Sequence, residues 1–128
     1  MGTMKSFAEL NAWQVGMSLV EEIYRLTVQF PKSEHFGLSS QLKRASTSIV
    51  ANIAEGFGRY SHADKAHKYV IARGECAEVT AFLLVAIRVK FLDEKQARLA
   101  LELTDTVGKL LSGLIQSTRR RDSKSPIL

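Results

Sequence analysis

The sequence predicts an all-α protein, an antiparallel up-down-up-down four-helix bundle, and three observations carry that expectation. Four segments place apolar residues at alternating spacings of three and four. Only two prolines and eight glycines interrupt 128 residues, which favours long helices over a many-turned β fold. The connectors between the segments are short, which sets successive helices antiparallel. The expected organisation is a single bundle domain over residues 1–117, followed by a flexible basic tail over 118–128.

The first segment runs from Phe7 to Phe30. Trp13, Met17, Val20, Tyr24 and Val28 form one stripe, and Gly16, Leu19, Ile23, Leu26 and Phe30 run beside it. Together they make the wide apolar face of a helix packed against two neighbours. Pro31 ends it, because proline lacks an N–H and biases the preceding residue away from helical geometry. Residues 31–37 read as a connector closed by Gly37. The second helix then carries Leu38, Leu42, Ala45, Ile49, Ile53 and Gly56 as core positions, with Asn52 at the edge of that face and Glu55 beyond it.

Ser61 followed by Asp64 resembles a capping box and starts a third helix. Its stripes are Tyr69, Ala72, Cys76, Val79, Leu83 and Val70, Ala77, Thr80, Leu84, Ile87, Phe91. Phe82, Val85 and Val89 occupy the opposite side, so the last turns are apolar all round. A helix of that kind needs cover on every side, and the expected extra cover is a second copy of the chain, with Phe82, Val85 and Val89 at the oligomer interface. Asp93 with Gln96 offers a cap for a fourth helix through Ala97, Ala100, Thr104, Val107, Leu111 and Leu114, with Leu103 and Leu110 alongside, expected to end near Ser117.

The net charge of +5 is unevenly spread. Residues 31–73 carry +4 and residues 119–128 carry +3, whereas 1–30 and 74–118 each carry −1. A polyanion partner and a merely soluble basic surface both fit. The single Cys76 excludes an intramolecular disulfide framework and suits a reducing compartment. No apolar run approaches the ~20 residues that span a bilayer, and the N-terminus has no signal-peptide core. A cytoplasmic location with no membrane partner is expected. Residues 1–6 match the letters of an N-myristoylation signal, a match too short to carry an expectation of lipidation.

The residues Phe30-Pro31, Glu34, Gly37-Leu38, Gln41, Arg44-Ala45, Ser48-Ile49, Asn52-Ile53-Ala54-Glu55-Gly56 and Gly58-Arg59-Tyr60-Ser61 carry a likeness. Over roughly residues 7–116 the chain resembles the bacterial four-helix proteins encoded in intervening sequences of 23S ribosomal RNA genes. That family is similar to the accessory protein of diversity-generating retroelements. One departure is visible: Gly74-Glu75 stands where the family commonly shows Gly-Ser. The resemblance implies a four-helix protomer assembled as a homopentamer with a basic surface. In the retroelement branch it implies association with RNA and a reverse transcriptase. In the intervening-sequence branch it implies a fold more firmly than an activity.

The expected RNA- or DNA-binding residues are Lys43, Arg44, Arg59, Lys65 and Lys68, because clustered cations attract the phosphate backbone and release its counterions without reading sequence. On a helical wheel Arg44 and Arg59 fall on one side of helix two, and Lys65 and Lys68 follow across the Gly58–Ser61 corner. The competing reading is a solvated face with Glu55 paired to Arg59 at i, i+4, in a protein-interaction scaffold with no direct nucleic-acid role. Arg73 lies within an apolar stripe, and a buried guanidinium needs a carboxylate, so a structural ion pair with Glu55 is expected of it in preference to a phosphate contact.

Nothing in the sequence supports a catalytic or cofactor site, and no enzyme is expected. His62 and His67 do not stack on one helical face, and no Glu-x-x-His pair completes a bundle-type metal site. Cys76 sits between Ala72 and Val79 as a small core residue. Gly56-Phe57-Gly58 ends a helix and so lacks the donor geometry that cradles phosphate. Trp13 and Tyr24 repeat with core spacing, which makes base stacking the minority reading for both.

Overall fold

A computed structural model describes residues 4–123. Four helices make up nearly all of it: α1 (Asn11–Thr27), α2 (Leu38–Phe57), α3 (His62–Arg88) and α4 (Glu94–Ser123). Short 3₁₀ turns at Phe7–Glu9 and Lys32–Glu34 precede α1 and α2, and there is no strand among the described residues. The expected start of the first helix at Phe7 is therefore displaced to Asn11. Ser6 accepts from the Ala8 amide at 3.1 Å and caps a 3₁₀ turn instead. Leu10 then adopts an extended conformation before the helix proper.

The helix ends follow from local chemistry. Past Thr27 the chain tightens to i→i+3 bonds from the Gln29 and Phe30 amides, and Pro31 continues in extended geometry. The Leu38 amide donates to Glu34 at 3.1 Å, so a carboxylate from the connector caps α2. Ser61 accepts from the Asp64 amide at 3.0 Å and opens α3. Asp93 and Gln96 form a reciprocal capping box at 2.7 and 2.9 Å and open α4. Between α3 and α4, Lys90 holds φ at 69°. That left-handed conformation costs a non-glycine residue about 1 kcal/mol.

Each helix packs against two neighbours, and the contacts fix their directions. Gly16 meets Val50 while Tyr24 meets Lys43, so α1 and α2 run oppositely. Arg44 reaches Glu78 while Gly56 abuts Tyr69, so α2 and α3 do the same. Gln29 bonds Gln96, which brings the end of α1 to the start of α4. Two of these approaches need glycine. A Cβ at Gly16 would stand 2.8 Å from Val50 Cγ1, and one at Gly56 would stand 2.6 Å from Tyr69 Cε1.

The core takes one stripe from each helix: Leu19, Ile23 and Leu26; Leu42, Ile49 and Ile53; Tyr69, Cys76, Val79 and Leu83; Val107, Leu111 and Ile115. The Trp13–Val28 stripe of α1 is only a rim. Met17 and Val20 are half-buried, and Tyr24 and Val28 are exposed, because the two neighbours cover a narrower arc than the apolar pattern spans. On α3, Phe82 packs against the core, while Leu84, Val85 and Val89 remain 53%, 46% and 48% exposed.

The largest correction concerns the tail. Helix α4 does not end near Ser117 but continues to Ser123. Its buried row runs on through Ile115 and Thr118 at the same spacing, which gives the last turns something to pack. The expectation of a flexible tail now concerns only residues 124–128, which lie outside the described residues, as do residues 1–3 of the Met1–Ser6 match. No helix among the described residues is long and apolar enough to cross a membrane.

Candidate nucleic-acid interface

The expected cations do not form one patch. Consecutive residues on a helix point about 100° apart, so Lys43 and Arg44 face different neighbours. Lys43 lies 5.1 Å over the Tyr24 ring on α1. Arg44 turns to α3, where Nη2 bonds Glu78 and Nη1 stands 3.7 Å from Glu75, and its Nε donates to Gln41 at 3.2 Å. Arg44 and Arg59 share a side of the wheel but lie roughly 22 Å apart along it. Wheel position alone therefore did not bring them together.

Glu75 has an unusual setting. Its Oε2 is buried and has no hydrogen-bond partner. Burial, together with the neighbouring Glu78, pushes its carboxyl above the ordinary range, and Arg44 offsets only part of that.

At the α2–α3 corner, two cations flank one carboxylate and a third caps the end of α2. Lys68 pairs with Glu55 at 2.9 Å, and Arg59 stands 4.0 Å from the same oxygen. The Lys68 hydrogen bond and charge, with help from Arg59, hold the Glu55 carboxyl below its usual range. Lys65 donates to the Phe57 carbonyl at 2.5 Å, one of the orphan acceptors at the end of α2, and lies 5.4 Å over the Phe57 ring. Beside them Tyr60 is fully exposed.

The Arg73–Glu55 pair is not formed. Arg73 is exposed and its Nη1 reaches Ser112 Oγ on α4 at 3.4 Å. The antiparallel register that sets Glu55 against Lys68 leaves Arg73 about 7.5 Å farther along α3 and ~140° around it. The apolar stripe that contains Arg73 lines the outer rim of the α3–α4 seam, where a guanidinium stays in water.

The continuation of α4 brings the triple arginine of the expected tail onto the bundle. Because α4 runs back along α3, its last turns reach the start of α3. Arg119 lines a cleft with His62, His67 and Val70. The charge of Arg121 offsets part of the rise that burial imposes on the Tyr69 phenol. Arg120 is exposed. The end of the bundle at the start of α3 thus holds Arg59, Lys65 and Lys68 on its α2 side and the Arg119–Arg121 run on α4.

Two further charged or reactive groups lie elsewhere. Glu22 on α1 is buried and receives two bonds from Arg25, at 2.8 and 2.6 Å. The i, i+3 spacing of Glu22 and Arg25 is the sequence signal for this pair. Cys76 is buried against Glu75, and burial pushes its thiol up to about 12, far from a nucleophile's range. Among the described residues no group of three His, Cys, Asp or Glu side chains could hold a metal ion.

The chain is similar to known proteins over most of this fold. A solved structure from Bacteroides thetaiotaomicron, a protein of unknown function from the S23 ribosomal protein family, is 26% identical. The similarity covers 82% of this chain and 95% of that one, with a TM-score of 0.75. No curated protein matches the chain. The family model described as 23S rRNA-intervening sequence protein matches residues 8–113, which span the bundle from before α1 through most of α4 but stop short of its last turns. The chain belongs to the family of 23S rRNA-intervening sequence proteins.

Proposed function

We propose that the chain is a non-catalytic, homo-oligomeric bundle that binds RNA or DNA phosphates at the corner where the α2–α3 connector meets the end of α4. The observation that supports this most is the gathering of Arg59, Lys65, Lys68 and the Arg119–Arg121 run at one end of the molecule, beside exposed Tyr60. The ion pairs there are no obstacle, since pairs at exposed sites contribute at most ~1 kcal/mol. Exchange of Glu55 for a phosphate is correspondingly cheap. Tyr60 offers a face on which a base stacks.

A protein-interaction scaffold with no nucleic-acid role is the second reading. It is favoured by one observation, that Arg59, Lys65 and Lys68 already have partners inside the protomer. Salt titration of binding to generic single-stranded RNA separates the two. Four phosphate contacts imply a loss of roughly 50-fold in affinity between ~50 and ~200 mM salt. Lys65→Glu with Lys68→Glu is expected to weaken binding at least ~10-fold and to flatten that slope; no binding at low salt would sink the nucleic-acid reading.

Assembly rests on the half-exposed Val85 and Val89, with a pentamer and a reverse-transcriptase partner as the resemblance suggests. Val85→Glu with Val89→Glu is the cleaner test than a charge at Phe82, which also serves the core. The double variant is expected to reduce the mass in solution, by light scattering, to that of the protomer. An unchanged mass removes these residues from the interface.

A further inference from the structure

The far end of the bundle, where α3 turns into α4, carries a groove of about 680 Å³ that is unrelated to the basic corner. Its floor is apolar: Leu84 and Ile87 lie one turn apart on α3, and Leu101 faces them from α4. Leu84 is more exposed than buried, so the core does not consume it. Three cations rim this floor, Arg88, Lys90 and Arg98. None of them lies within ion-pairing distance of a carboxylate among the described residues.

The placement of these cations is only partly explained by the fold. Arg88 and Lys90 sit at the C-terminal end of α3, where the helix dipole favours positive charge. Arg98 lies inside α4 and has no such reason. Lys90 occupies a left-handed position where glycine would be less strained. An apolar floor edged by unspent positive charge is the complement of an amphipathic segment with acidic flanks. A nucleic-acid backbone fits it poorly, because Glu94 and Glu102 line the same groove. They would face a continuous run of phosphates, whereas a polypeptide can place its carboxylates only where the cations are.

We infer that the α3–α4 groove is a docking site for an acidic amphipathic helix of a partner protein, whose apolar residues at i, i+3 and i+7 seat on Leu84, Ile87 and Leu101 and whose carboxylates meet Arg88, Lys90 and Arg98. This surface is separate from the residues assigned above to oligomerisation. Val85 and Val89 lie about 100–140° around α3 from Leu84. It is also separate from the nucleic-acid corner, which lies at the opposite end of α3. Failure at one site leaves the other standing.

The test uses the full chain and a fluorescein-labelled synthetic helix with leucine at those three positions and glutamate on both flanks, read by fluorescence anisotropy at low salt. A counterpart with lysine for glutamate and a short poly-uridine RNA serve as controls. The acidic helix is expected to bind at least tenfold more tightly than its lysine counterpart. Arg88→Glu with Arg98→Glu is expected to abolish that preference and leave RNA binding unchanged. Leu84→Asp is expected to weaken the acidic helix tenfold or more while the rim charges stay in place. Circular dichroism melts verify folding, and Arg88→Gln with Arg98→Gln replaces any variant that fails to fold. Equal binding of the two helices, or an affinity that the arginine variants do not change, would overturn the inference. Loss of RNA binding in the Arg88, Arg98 variant would overturn it by giving the groove to nucleic acid. A drop in solution mass on Leu84→Asp would overturn it by giving the groove to a second copy of the chain.

Discussion

The two ends of α3 use positive charge in opposite ways. At its start, in the most basic part of the sequence, Arg59, Lys65 and Lys68 are engaged by Glu55 and by the end of α2. At its finish, within a segment whose net charge is −1, Arg88, Lys90 and Arg98 have no carboxylate in reach among the described residues. Net charge along a sequence therefore does not locate available charge. What matters is whether the neighbouring helix presents a carboxylate at the same height and on the same face. Antiparallel register decides that, and it sets Glu55 against Lys68 and Glu75 and Glu78 against Arg44.

The same contrast holds for packing. The start of α3 is tight against α2 at Gly56, whereas the α3–α4 side is loose enough that a Cβ on Gly108 would meet nothing within 4 Å. Gly56→Ala is expected to have the largest effect. Its methyl group would collide with the buried Tyr69 ring and lower stability by about 1–3 kcal/mol in a denaturant titration. A variant as stable as the parent would show that this corner is not tightly packed. Gly108→Ala runs the other way and is expected to raise stability by up to ~1 kcal/mol through helix propensity alone. A loss there would mean that another molecule covers this face in solution.

A smaller effect comes from the middle of α3. The folded protein holds the Glu75 carboxyl above its unfolded range, so protonation of Glu75 favours folding. That contribution is full below the unfolded value and is lost as pH rises through the folded one, which leaves the ionised carboxylate a cost at neutral pH. Glu75→Gln is expected to raise Tm by a few degrees near neutrality, with the gain shrinking as the pH falls through the carboxylate range. A gain that does not change with pH would assign it to something other than the charge.

Much of the fold was legible because burial leaves a periodic mark. The stripe Tyr69, Ala72, Cys76, Val79, Leu83 is buried at every position, and both the Ser61 and Asp93 caps form. The Trp13–Val28 stripe of α1 is misleading, since apolar spacing shows what a face tolerates and not what covers it. The end of α4 was readable in principle, because Ile115 and Thr118 continue the Leu111 row. The triple arginine that follows drew the reading toward a tail. Ion-pair partners were the least legible part. The apolar stripe singles out Arg73 as the partner of Glu55, yet Lys68, five residues away in register, is the one that meets it.

Cys76 gives the molecule a clock. It is the sole thiol of the chain, 5% exposed at the edge of a cleft in the α3–α4 seam, and burial raises its pKa, so a maleimide or disulfide reagent reacts with it faster when α3 parts from its neighbours. The rate of labelling, followed by mass spectrometry, then measures how often the bundle opens. A ligand that clamps α3 to α4 slows that rate, while one seated at the α2–α3 corner slows it only as far as it stabilises the whole fold. One native side chain thus times the opening of the protein without any added probe.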